Sequence, residues 1–92
     1  MEKRFKDQLN LRFDTVADVG YATVSKAEIM RWWDRKRVTA SIWQDLNDRW
    51  EERLFTDNDG DPVPLKIGEG DGFYVLAWGE EWLVPVSAWA EK

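Results

Sequence analysis

Apolar positions recur along this chain in two different periods, and the change between them divides it. Phe5, Leu9, Phe13 and Val16 return at steps of three and four, which is one face of an α-helix. Gly20 stands where a glycine would stop that helix. The stretch "LNLRF" also alternates, so a strand over 9–13 competes with the helix there. "SKAE", Ser25 to Glu28, has the form of a capping box and opens a second helix. On it Ile29, Met30 and Trp33 share a face, while Glu28, Arg31, Trp32 and Arg35 point away, which predicts Trp32 at the rim. A third helix starts at the N-cap Thr39, with Val38 and Trp43 spaced as a hydrophobic staple. Ile42, Trp43, Leu46, Trp50 and Leu54 form its apolar stripe. Gln44, Asp45, Asn47, Asp48, Glu51 and Glu52 form its polar side. "DRKRV" leaves a short connector between the second and third helices, so the chain must turn sharply.

After the turn-forming run "TDNDGDP" the period falls to two. Val63, Leu65 and Ile67 alternate as a short strand, and "FYVLAW" and "WLVPV" read as two more. A three-residue "GEE" loop would set Trp78 opposite Trp82, Leu76 opposite Val84 and Tyr74 opposite Val86. One face then holds Tyr74, Leu76, Trp78, Trp82, Val84 and Val86. The other holds Phe73, Val75, Ala77 and Leu83. Both are apolar, whereas an antiparallel sheet commonly wets one side. The expectation is that the first face packs under the helices and that the second is covered by the C-terminal "SAWAEK" or by another chain.

These patterns predict one α+β domain over residues 1–92, with 1–56 mainly helical and 57–92 mainly β. Three helices pack on a small antiparallel sheet or hairpin. Three helices, a capped turn at Arg35–Thr39 and a hairpin together resemble the element order of winged-helix domains. That resemblance implies a third helix directed at a major groove and a hairpin wing near the backbone. It would place Ser41, Gln44, Asp45 and Asp48 near base edges and leave Arg31, Arg35, Lys36 and Arg37 to hold phosphates.

Charge changes the picture. The net charge is −5. Residues 1–56 carry eleven Lys/Arg and ten Asp/Glu, and residues 57–92 carry two Lys and eight Asp/Glu. The third helix is acidic over 39–54 and the wing tip "EGDG" is acidic too, so nucleic acid is disfavoured as a partner on charge.

With no Cys and no His, disulfides, thiolate or imidazole metal sites and His-based catalysis are excluded. Counted from Asp57, an EF-hand loop would need Gly at its sixth position and Glu at its twelfth. Pro62 and Gly68 stand there instead, so no metal is expected. "GEGDG" precedes a strand and has no Lys, so it reads as a hairpin loop rather than a phosphate cradle. No enzyme activity and no cofactor are expected.

The charged N-terminus "MEKRFKDQLN" lacks the apolar run of a signal peptide, and no stretch is long enough to span a membrane, so a soluble cytoplasmic protein is expected. Seven Trp is a large number for 92 residues; their large burial areas compensate for a small core, and their enrichment at binding hot spots makes a surplus of them a candidate contact surface. The first functional expectation is a non-enzymatic module that binds a partner protein or itself as a homodimer. Its candidate contacts are Arg31, Trp32, Arg35, Lys36, Arg37, Tyr74, Trp78 and Trp82. By analogy, the make-up suits an accessory protein of a phage or mobile element. The alternative is a winged-helix DNA-binding regulator.

Overall fold

The residues that set the helical period are those that the first helix buries. In the computed structural model, which describes residues 1–79 and 83–90, α1 (Lys3–Val19) buries Phe5, Leu9, Phe13 and Val16. Gly20, at φ +104°, ends it and donates its N–H to the Val16 carbonyl. The chain then forms β1 (Tyr21–Ser25), a strand that the pattern of apolar residues does not announce. Its alternation is short, with Ala22 and Val24 inward and Tyr21 and Thr23 outward.

Ser25 closes β1 and also caps α2 (Lys26–Trp32). Its hydroxyl accepts from the Glu28 N–H at 3.0 Å, and its own N–H donates to the Glu28 carboxylate at 3.0 Å. The capping box is therefore present as the sequence predicts. The face assignment of α2 is not. Ile29 and Trp32 are the buried residues, and Trp32 is 1% exposed, so the expectation of a rim position for Trp32 is corrected. The helix ends at Trp32, and Trp33 is already its C-cap, off the helical geometry at φ −100° and ψ 4°. The i, i+3 pair Ile29 and Trp32 faces α1, where the Trp32 indole N–H donates to Gln8 Oε1 at 2.9 Å.

α3 (Ala40–Glu51) has Thr39 as its N-cap residue, although no Thr39 side-chain bond closes the cap. Ile42, Trp43, Leu46 and Trp50 are buried, as their stripe predicts. Leu54, assigned to the same stripe, is 82% exposed, because the helix stops at Glu51 and the chain turns away.

β2 (Lys66–Glu69) and β3 (Phe73–Ala77) form a hairpin joined at Asp71–Gly72, with Gly72 at φ +81°. The predicted strand over 63–67 thus begins later, and its Leu65 and Ile67 are core. β4 (Val84–Pro85) pairs with β2, setting Ile67 opposite Val84. The expected hairpin between 73–78 and 82–86 is therefore corrected: β3 already has β2 on one side and β1 on the other, in the order β1-β3-β2-β4. Trp82 lies outside the described residues. Val86 does not extend a strand; it opens α4 (Val86–Ala90).

All strand pairs are antiparallel. Ala22, Val24, Tyr74, Leu76 and Ile67 line the inner face and meet the three longer helices in one core. α4 joins that helical side, where Trp89 packs edge-on against Trp43 and Tyr74. It does not cover the second face, as the expectation for "SAWAEK" had it. On that face Val75 sits between Thr23 and Gly68, and the Phe73 ring lies over Gly70, where a Cβ would come within 2.3 Å of it. Leu83 is buried within the chain. The second face is thus broken up by Thr23 and Gly68 rather than continuously apolar. Among the described residues, no helix is long and apolar enough to cross a membrane.

Candidate functional site

The tryptophan surplus is largely consumed by the fold. Trp32, Trp43 and Trp50 are buried, and Trp33, Trp78 and Trp89 are partly buried against the same core. Several indole N–H groups find internal acceptors: besides Trp32, Trp33 donates to Asp45 Oδ2 at 2.6 Å, Trp50 to the Val63 carbonyl at 2.8 Å and Trp78 to the Val16 carbonyl at 2.9 Å. Each bond fixes a large side chain between two elements. Of the aromatic residues expected at a binding surface, Trp32 and Tyr74 are therefore core residues, at 1% and 4% exposure. Trp78 is held by α1 and stacked edge-on against Phe55, and Trp82 lies outside the described residues.

The basic residues behave differently. α2 ends in a Schellman arrangement: the Asp34 N–H donates to the Arg31 carbonyl and the Arg35 N–H to the Met30 carbonyl. Asp34 takes the left-handed conformation at φ +52°, which Asp tolerates better than most side chains. This motif bends the chain outward and leaves Arg31, Asp34, Arg35, Lys36 and Arg37 exposed. Among the described residues, no ion pair engages Arg31, Arg35, Lys36 or Arg37. Elsewhere, Arg4 pairs with Glu2, Arg12 with Glu28, Lys26 with Glu69, Arg49 with Asp45 and Arg53 with Asp14. Four exposed cations with no ion-pair partner among the described residues thus share one turn.

α3 starts directly after this turn. The exposed side chains of its first half are Ser41 and Gln44, both uncharged. Asp45, the one carboxylate there, is drawn inward. Burial by itself pushes its carboxyl up, but the Trp33 indole N–H and the Arg49 guanidinium at 3.0 Å outweigh that and hold it below its ordinary value. Further along, Asp48, Glu51 and Glu52 are exposed, so the outward face of α3 runs from neutral to acidic. A cleft of about 480 Å³ opens beside the turn, between Met1, Glu2 and Phe5 of the N-terminal segment and Arg31, Trp33 and Asp34.

The hairpin tip is anchored to the helices rather than free. The Lys26 N–H donates to the Gly72 carbonyl, and the Lys26 ammonium pairs with Glu69 at 2.7 Å. That bond raises the Lys26 pKa against a smaller opposing effect of burial. Burial raises the Tyr74 phenol, which lies beneath the Lys26 ammonium. These shifted groups serve contacts between elements and do not converge on a cleft. No cluster of three or more potential metal ligands occurs among the described residues. Comparison with known proteins finds no protein family, no curated protein and no solved structure that matches this chain.

Proposed function

We propose that this chain is a non-enzymatic winged-helix module that docks on duplex nucleic acid through the α2–α3 turn. The order α1-β1-α2-α3-β2-β3, with β3 between β1 and β2, supports the winged-helix reading. The observation that carries the functional one is the set of exposed cations Arg31, Arg35, Lys36 and Arg37, without ion pairs among the described residues and placed just before an uncharged half-helix bearing Ser41 and Gln44. In helix-turn-helix docking the N-terminal residues of the second helix meet base edges, and flanking cations hold phosphates. Gln reads adenine and Ser accepts either groove partner.

The net charge of −5 is a weaker objection than it is for the sequence alone. The 12 residues of α3 separate the turn from the acidic loop at Asp57, Asp59 and Asp61 by a rise of about 18 Å. That is more than two Debye lengths at physiological salt, about 8 Å each. The features that favour a protein partner in the sequence, surplus Trp and a two-sided apolar sheet, are mostly used inside the chain. The acidic second half of α3 limits how deeply the helix sits and makes binding weak.

Electrophoretic shifts on mixed-sequence duplexes at low salt test the reading. Binding is expected with a log–log salt slope of about −3 to −4, and Arg35→Ala with Arg37→Ala should lower that slope by about two. No shift at protein concentrations on the order of 100 µM removes the nucleic-acid reading.

A further inference from the structure

Leu54 combines two features that folding alone does not favour. It is 82% exposed, and it holds φ +54°, the left-handed region that strains a branched side chain. The Leu54 N–H donates to the Glu51 carbonyl just past α3, a position where glycine is the usual residue. Leu54 gains neither burial nor backbone ease there. It does form one wall of a groove of about 680 Å³, lined largely by apolar side chains that include Trp50, Phe55, Pro62, Val63 and Leu65.

The surroundings of this groove are acidic. Glu51 stands on its wall. The bridge between Thr56 and Pro62 closes a loop that projects Asp57, Asp59 and Asp61 beside it, all exposed. Between residues 50 and 65 the one cation is Arg53, and it is paired with Asp14 on α1. An apolar trough within a negative field complements an apolar segment with positive flanks.

We propose that this groove, at the opposite end of α3 from the basic turn, is a docking site for a short apolar segment flanked by Lys and Arg and presented by a partner protein. A second copy of this chain does not offer that complement. Its unpaired basic run, residues 31–37, has Trp32 buried in its own core, and its exposed Leu11, Val19 and Tyr21 lie near Arg12, which is already paired with Glu28. The proposal is independent of the nucleic-acid reading, because no groove-lining residue belongs to the α2–α3 turn.

The test uses three synthetic peptides that share one Leu- and Phe-containing core and carry Lys/Arg, Ser or Glu flanks. Each is titrated calorimetrically into the full chain and into Leu54→Gly and Leu54→Asn, two residues that accept the left-handed conformation. The basic-flanked peptide should bind with Kd below about 100 µM and at least roughly tenfold more tightly than the Glu-flanked one. Both variants should weaken it at least about tenfold, while Leu54→Gly melts no lower than the parent. No binding at about 1 mM, equal binding of all three peptides, or unchanged affinity in the variants would overturn the proposal. So would a lower melting temperature for Leu54→Gly, since Leu54 would then serve the fold. Sedimentation showing self-association that Leu54→Gly abolishes would overturn it in favour of a second copy.

Discussion

At the scale of single residues, Trp32 shows how one hydrogen bond and one helix end redirect a side chain. A helix continued through Arg35 would put Trp32 beside Arg31 and away from the core. Because α2 stops at Trp32, only Ile29 and Trp32 need to face inward, and Gln8 satisfies the indole N–H. Trp32→Ala should therefore cost about 3–5 kcal/mol, similar to Trp43→Ala. Thermal melts of the two variants check this, and a much smaller loss for Trp32→Ala would contradict the burial.

Asp45 makes a second prediction. Its folded pKa lies below its ordinary value because the Trp33 and Arg49 bonds outweigh burial. Such a carboxylate binds its proton more weakly when folded than when unfolded. Its contribution is thus complete above the ordinary carboxylate range and is lost as pH falls through the lowered folded value. Asp45→Asn should flatten the acid side of the melting-temperature profile below about pH 4, and a profile parallel to the parent would count against the linkage.

Among the elements, β1 sits at the sheet edge, where an unpaired strand can template association. Here that edge is partly occupied. Arg12 on α1 donates to the outward Thr23 carbonyl at 3.1 Å and pairs with Glu28 at 2.8 Å, and Glu28 holds the Ser25 N–H. The guanidinium also lies 5.9 Å from the Trp32 ring centroid. One side chain from α1 thus covers the strand edge and steadies the capped start of α2. Arg12→Ala would free the carbonyl beside the exposed Leu11, Val19 and Tyr21. Concentration-dependent association by sedimentation is the expected result for this variant at moderate salt, with the parent showing less.

For the whole molecule, charge is segregated along α3, with unpaired cations at its start and carboxylates beyond its end. Neutralising the far end by Asp59→Asn with Asp61→Asn should leave duplex binding within about twofold at physiological salt, where screening acts over about 8 Å. It should raise affinity clearly at about 0.01 M salt, where the screening length grows to about 30 Å. A large effect at physiological salt would mean that the loop lies close to the bound partner.

The features that the sequence determines by itself are local ones. The stripes of α1 and α3, the capping box at Ser25 and the turn-rich loop before β2 each depend on residues a few positions apart, so their geometry is carried by neighbouring side chains. The exposure of Arg31, Arg35, Lys36 and Arg37 is legible for the same reason, since four cations in seven residues have no reason to enter a core. Strand pairing is different. β1 spans only five residues, and its hydrogen-bond partners lie some fifty residues away in β3, so no local pattern distinguishes it from a loop. Once β1 takes one side of β3, the C-terminal strand is left to pair with β2, and Val86 is released into α4. The inward turn of Trp32, the exposure of Leu54 and the groove beside it likewise depend on where helices end and what they pack against. Those outcomes were decided only in the tertiary structure, because burial is a competition among all elements for the same interior rather than a property of a sequence window.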